Sequence, residues 1–449
     1  MKKYDVIVIG SGAGLEIAAF AAERGLKVAL VEDGPLGGTC LNCGCIPSKM
    51  LIHSAEIAEK IHSSERFGIK SKIESIDFSS IVRRVNDDID AESTQIEKSI
   101  KAVDNLVLYK TSARFTRPKI LKVDDEEITA ELIFIGAGTR PSKFDLTNSN
   151  NIPFLDSTKA LRLEKQPTHL VIVGGGYIAA ELAHFFGALG TKITILVRGD
   201  RMLDNEDDEI ADWFTAEFMK KYNVVLQTEA ESVEFRDEKY LIKLKNSDEI
   251  IDADQLLVAV GRTPNTDTLN ISAAGIILNE HGYIKVYDNL KTDIDGIYAF
   301  GDIVGIVPFR HTANKQAELL IRNIFLSEKI SMDYTTIGHA IFSSPQVAGV
   351  GKTEQELKKS GIGYRVGRAE LKDTAMGGAL RENGLAKVLT DASGEQILGV
   401  HLVGPDASIL IHEAIVAMKT TGKTSAITDT VHIHPALNEW LQRAFHAIG

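Results

Sequence analysis

Three cysteines fall within six residues of one stretch, Gly37-Gly38-Thr39-Cys40-Leu41-Asn42-Cys43-Gly44-Cys45-Ile46-Pro47-Ser48-Lys49, and the chain has no others. A disulfide that staples a fold gains value from the length of the loop it closes. A bridge within this stretch closes almost nothing. It can open and close without disturbing the fold, which suits thiol–disulfide exchange. Inert buried thiols or a zinc knuckle are the competing readings. No second ligand cluster of zinc spacing accompanies these thiols, so no metal is expected.

The elements around the stretch are nucleotide-binding in pattern. Residues 4–9 are rich in Val and Ile and read as a buried parallel strand. Gly10-Ser11-Gly12-Ala13-Gly14-Leu15 follows, then a helical run from Glu16 to Gly25 and a strand, Val28–Val31, ending at Glu32. Strand, glycine turn, helix, strand and acid in this order form the dinucleotide fingerprint. The first glycines admit a pyrophosphate, the helix N-terminus favours its charge, and Glu32 is placed to accept from a ribose. Leu15 stands where the third glycine is expected, which implies altered helix–strand packing.

The fingerprint recurs: strand Leu170–Val173, turn Gly174-Gly175-Gly176-Tyr177-Ile178-Ala179, helix Ala180–Leu189, strand Ile193–Val197. Two fingerprints imply two dinucleotide sites. The second strand ends at Val197 rather than at a carboxylate that would select NAD. Arg198 and Arg201 follow, and guanidinium groups hold a 2′-phosphate. The spacing therefore favours NADPH over NADH. The competing reading is a solvated turn beside Asp200, Asp204 and Glu206.

Amphipathic helices are expected over residues 50–105, then a strand-rich patch ending in Leu132–Pro141 and a polar linker over residues 142–168. A helix and a β-meander fill residues 207–260. A separate α/β unit begins near Tyr334, with a central strand over residues 397–405 and a helix over 408–418. The chain closes with His432-Ile433-His434-Pro435-Ala436-Leu437-Asn438-Glu439, whose two histidines and carboxylate make a candidate metal site when taken alone. The fold class is α/β: two Rossmann-like dinucleotide-binding domains and a C-terminal α+β domain.

The chain has 449 residues, a formal net charge of −12, 44% apolar and 25% charged residues. That charge argues against nucleic acid or an anionic membrane as partner, and no apolar run approaches the ~18 residues of a membrane span. Met1–Asp5 passes straight into a strand, leaving no room for a signal peptide. Sparse cysteines fit a reducing compartment, so a cytoplasmic location is expected.

The stretch GGTCLNCGCIPSK resembles the redox-active segment of the flavin-dependent pyridine nucleotide–disulfide oxidoreductases, which include dihydrolipoamide dehydrogenase, glutathione reductase and mycothione reductase. Gly136–Pro141, Gly261–Asn265, Gly296–Asp302, His311–Asn314 and His432–Pro435 match further family motifs in the same order. The resemblance implies a Cys40–Cys45 redox pair, with Cys45 facing the flavin and Cys40 the exposed interchange thiol. Cys43 is a departure from the pattern. His434 would be the acid–base, oriented by Glu439, and Lys49 with Glu181 an ion pair beside the flavin.

FAD would contact Gly10, Gly12, Ala13, Gly14, Glu32, Gly38, Thr39, Lys49, Ala113, Ala137, Gly138, Gly301, Asp302 and Ala313. NADPH would contact Gly174, Gly176, Tyr177, Ile178, Arg198, Arg201 and Gly261. The implied domains are 1–145 (FAD), 146–262 (NAD(P)H), 263–332 (the rest of the FAD domain) and 333–449 (dimerisation), in a homodimer whose subunits share each active site. The implied role is reduction of a low-molecular-weight disulfide in cell redox homeostasis. Ile178–Glu181, Val197–Asp200 and Ile433–Leu437 resemble mycothione reductase and related archaeal reductases of small thiols such as bis-γ-glutamylcystine. The alternative is a dihydrolipoamide dehydrogenase oxidising protein-bound dihydrolipoyl groups with NAD. Phe445–Gly449 lacks the cysteine pair of mercuric reductase, both Cys40 and Cys45 argue against NADH oxidase, and Ala13 and Phe20 argue against glutathione reductase.

Overall fold

Uninterrupted runs of Val and Ile make strands that are buried on both faces, and such strands assemble into parallel sheets. The computed structural model describes residues 1–144, 152–245 and 247–449 and divides them into two compact units. The boundary expected at 145/146, with part of the linker, lies outside the described residues.

The first unit comprises Met1–Met50, Val82–Ser142 and Gly261–Tyr334. Its sheet runs Leu106–Tyr109, Val28–Val31, Lys2–Ile9, Glu126–Ile135, all parallel. The far edge of Glu126–Ile135 takes Ile297–Ala299 in parallel and Ile120–Val123 antiparallel. Ile9 pairs with Val31 on one side and Ile135 on the other, so the strand ends align where the glycine turn begins.

The Gly14–Glu23 helix starts two residues earlier than the sequence pattern suggests. A Cβ on Gly14 would come within 2.8 Å of Val8 Cγ1. The close helix–strand approach is therefore made at Gly14, and Leu15 packs half-buried against the core. The packing is displaced by one residue, which is why position 15 tolerates a large side chain.

The second unit comprises Leu51–Ile81, Lys143–Val260 and Thr335–Gly449. It holds a four-stranded parallel sheet, Asn223–Val225, Lys192–Leu196, His169–Val173, Gln255–Val258, with the Tyr177–Ala188 helix as its first crossover. The expected meander is the antiparallel trio Ala230–Arg236, Lys239–Leu244 and Ile250–Ala253. A five-stranded antiparallel sheet, in which Ile397–Gly404 is central, packs against the Ala407–Thr420 and Asn438–His446 helices around fully buried Trp440. The helices expected over 50–105 are Cys45–Ser63 and Phe78–Lys101. Among the described residues no helix is long and apolar enough to cross a membrane.

Candidate active site

Gly37 and Gly38 have φ of 102° and 67°, successive left-handed conformations that only glycine adopts without strain. A Cβ on Gly38 would lie 2.7 Å from Gly12 Cα. The missing side chain lets the cysteine stretch press onto the first glycine turn. From there the short Gly38–Cys43 helix runs, and Cys45–Ser63 follows after Gly44. Asn42 Nδ2 donates to the carbonyls of Leu36 and Gly38, both at 2.9 Å, and Ser93 Oγ donates to Leu36 O at 2.9 Å. The approach to the thiols is thus pinned from two sides.

All three cysteines stand as thiols, and Cys45 is close enough to Cys40 to act on its titration. Cys45 and burial push the Cys40 thiol up, while the charges of Arg310 and Lys49 oppose the rise. Cys40 is half-buried and Cys45 is exposed. Cys40 lies inside the short helix beside buried Leu41, whereas Cys45 opens the next helix. Cys43 is half-buried at the end of the short helix. Lys49 occupies the second turn of the Cys45–Ser63 helix.

Glu32 sits at the end of the second strand and fixes the glycine turn. Its Oε2 accepts from Ser11 N at 2.8 Å and Ser11 Oγ at 2.7 Å, and its Oε1 accepts from Gly34 N at 2.9 Å. Gly10 has φ of 97°, and the Gly14–Glu23 helix begins at Ala13 with no side-chain cap. Three other motif segments meet in the same unit. Arg262 donates to Thr139 Oγ1 at 2.7 Å and Thr139 O at 2.8 Å, and Thr139 Oγ1 donates to Asp302 Oδ2 at 3.2 Å.

Asn265 donates through Nδ2 to Ala137 O and through its backbone N–H to Gly138 O. Gly301 N donates to Gln316 Oε1, and Ala313 packs against Gly301. Ala113 is buried at the start of its strand, and Thr39 is exposed. Thr312 Oγ1 and Asn314 Oδ1 are buried without a hydrogen-bond partner in the first turns of the Arg310–Phe325 helix. An uncapped helix start and orphaned polar atoms beside a glycine cradle fit the diphosphate and heteroatom-rich ring of FAD. Arg310 is the residue that the sequence reading missed here.

The second unit repeats the turn. Gly174 has φ of 120° and donates to Leu196 O at 2.9 Å, as Gly10 does to Val31 O at 2.9 Å. Gly176 begins the Tyr177–Ala188 helix with no side-chain cap. Tyr177 is exposed, and Ile178 half-buried. Glu181 is buried, and its Oε1 accepts from Phe342 N at 3.0 Å. Val197 is buried, with Cγ1 2.8 Å from where a Cβ on Gly175 would be, and Arg198 is exposed. Gly261, assigned to the first unit, is exposed at φ 122°.

Arg201 is tied to Asp200 at 3.3 Å, Asp208 at 3.0 Å and Asp212 at 3.3 Å. Of the acids expected beside it only Asp200 makes this contact; Glu206 instead pairs with His339 at 2.7 Å. Asp208 and Asp212 lie one helical turn apart on the helix that follows, which brings both carboxylates to one guanidinium.

The two C-terminal histidines point to different carboxylates. His432 is buried against Glu413 at 2.5 Å, and His434, 72% exposed, has Nδ1 2.8 Å from Glu439 Oε1. Glu439 Oε2 accepts from Ala436 N at 3.0 Å. The His434 hydrogen bond, and then that backbone bond, hold the Glu439 carboxyl below its usual range. Among the described residues no group of three or more His, Cys, Asp or Glu side chains could hold a metal ion.

The family model for pyridine nucleotide-disulphide oxidoreductases matches residues 4–317, and the model for their dimerisation domain matches residues 337–445, which indicates a homodimer. The chain is 34% identical over 461 residues to mycothione reductase of Mycobacterium tuberculosis, covering 99% of each. It is 33% identical to dihydrolipoyl dehydrogenase of Chlamydia pneumoniae, covering 99% of this chain and 97% of that one. The HOCl-induced flavoprotein disulfide reductase RclA of Escherichia coli superposes with a TM-score of 0.88 at 28% identity, over 99% of this chain and 100% of that one. The chain belongs to the pyridine nucleotide-disulphide oxidoreductases, flavoenzymes that use FAD and a pyridine nucleotide to act on sulfur groups.

Proposed function

We propose that this enzyme reduces a low-molecular-weight disulfide with electrons from NADPH, through FAD and the Cys40–Cys45 pair. The observation that carries the reading is the placing of Cys40 and Cys45, on consecutive helices, beside the glycine turn on which Gly38 presses. Bound FAD would take a hydride from the nicotinamide and return two electrons to the cysteine pair. Cys40, as thiolate, attacks one sulfur of the substrate; the S–S bond breaks, and the leaving thiolate takes a proton from His434. Cys45 then attacks Cys40 Sγ, releasing the second thiol and restoring the Cys40–Cys45 bond. Glu439 fixes the His434 ring by accepting at Nδ1, which leaves Nε2 for the proton. Lys49 would serve as the fixed cation that raises the flavin's electron affinity.

We assign His434 to the active site of the opposite subunit. Val431 and Ile433 in the same segment are 96% and 76% exposed, and Ile409 and Val416 on the Ala407–Thr420 helix are exposed as well. Apolar side chains in this number around one functional segment fit burial by a second copy.

NADPH preference rests on buried Val197 and exposed Arg198. Arg201 is compensated by three carboxylates and contributes little, which is the observation that keeps NAD-linked dihydrolipoamide oxidation as a second reading. Comparing NADPH with NADH, each against oxidised lipoamide and a panel of small disulfides, separates the two. NADPH-driven turnover of a small disulfide supports the proposal, as does loss of that preference in Arg198→Glu. NAD-dependent oxidation of dihydrolipoamide as the faster reaction overturns it.

A further inference from the structure

A half-buried guanidinium normally finds an acceptor for its five donors. Arg310 opens the Arg310–Phe325 helix, is half-buried, and makes no hydrogen bond or ion pair with any described residue. Its Nη1 lies 3.3 Å from the position a Cβ on Gly12 would take, so a side chain at position 12 would crowd it. Gly12 is also where Gly38 presses in, and Gly14 next to it opens a ten-residue helix with no side-chain cap. Glycine turn, uncapped helix start and unpartnered guanidinium therefore meet at one point, and each favours an anion.

We infer that Arg310 is a further cofactor-binding residue, whose guanidinium clamps the diphosphate of FAD at the Gly10–Gly14 turn. The inference rests on FAD binding in this unit. Two parallel N–H donors match a phosphate's oxygens in a way that a lysine ammonium does not. The charge reaches further. It opposes the burial-driven rise of the Glu16 carboxyl on the neighbouring helix and favours the thiolate of Cys40, together with Lys49. Arg310 thus ties the cofactor's most charged part to the nucleophile.

The test uses full-length protein stripped of flavin and titrated with FAD, with flavin fluorescence as the readout and with ADP or adenosine as competitors. Arg310→Gln should weaken FAD and ADP about tenfold or more, leave adenosine unchanged, and lose less as salt is added. Arg310→Lys should fall between the two, and it decides the matter if the Gln variant does not fold. FAD affinity equal to wild type overturns the inference. So do equal losses for ADP and adenosine, and so does a raised KM for the disulfide with FAD affinity intact. Wild-type protein that binds no FAD contradicts the cofactor reading instead, whatever stands at position 310.

Discussion

Replacing Lys387 with Met removes the buried cation at the centre of an acidic cluster in the second unit. Lys387 Nζ lies 2.7 Å from Asp207, 2.7 Å from Glu354 and 3.0 Å from Glu209, with its side chain 1% exposed. The three pairs do not add. Glu354 keeps Lys358 and Tyr364, and Glu209 keeps Arg368. The loss therefore falls on Asp207, which is fully buried and retains the backbone donors of Glu209 and Glu354, with His401 beside it. Breaking a buried pair from one side costs about 3–5 kcal/mol. Two surviving N–H donors place this case near the lower end, about 3 kcal/mol.

The sign with pH is fixed by the carboxylates. Burial would raise Glu354, but hydrogen bonds from Lys387, Lys358 and Tyr364 outweigh it and hold it at about 2. Burial opposes the fall in the other two as well: hydrogen bonds from Arg368 and Lys387 lower Glu209, and the charge of His401, then the Lys387 hydrogen bond, lower Asp207. Their stabilisation is present above the ordinary carboxylate range and is lost as pH falls through these depressed values. In Lys387→Met, acid instead relieves Asp207, so the deficit should shrink from neutral to mildly acid pH. Denaturant unfolding of the holoprotein, followed by tryptophan fluorescence, reads this, and adding Asp207→Asn should recover most of the loss. An unchanged midpoint, or a deficit that grows on acidification, refutes the reasoning.

His434→Ala should slow disulfide turnover by about 10²–10⁴-fold while leaving reduction of bound flavin by NADPH intact. Glu439→Gln should cause a smaller loss in the same half-reaction; slowing of the flavin half instead removes His434 from the thiol side. Gly14→Ala should lower the thermal midpoint and flavin retention, because its Cβ meets Val8 Cγ1. Val8→Ala in that background should restore both, and no recovery would place the strain elsewhere.

Both nucleotide folds were legible because Val/Ile runs, glycine turns and helices follow one another within about thirty residues. Contacts that depend on distant segments were not. Position 15 looked like a lost glycine, yet the approach to Val8 is made at Gly14, which a fixed spacing does not register. Arg201 looked available to a phosphate, but the helix after it returns Asp208 and Asp212 to its guanidinium. His432 and His434 looked like one cluster, and their irregular backbone sends one inward to Glu413 and the other to solvent beside Glu439. Arg310 gained meaning only from Gly12, at the other end of the unit's sequence.

The central claim is that reducing equivalents end on Cys40 and Cys45. Differential alkylation of the protein before and after anaerobic reduction by NADPH, with the label located by fragmentation of the Val28–Lys49 peptide, tests it directly. New label on Cys40 and Cys45, with Cys43 equally labelled before and after, is the expected pattern. New label on Cys43, or none on any of the three from flavin-loaded protein, contradicts the account.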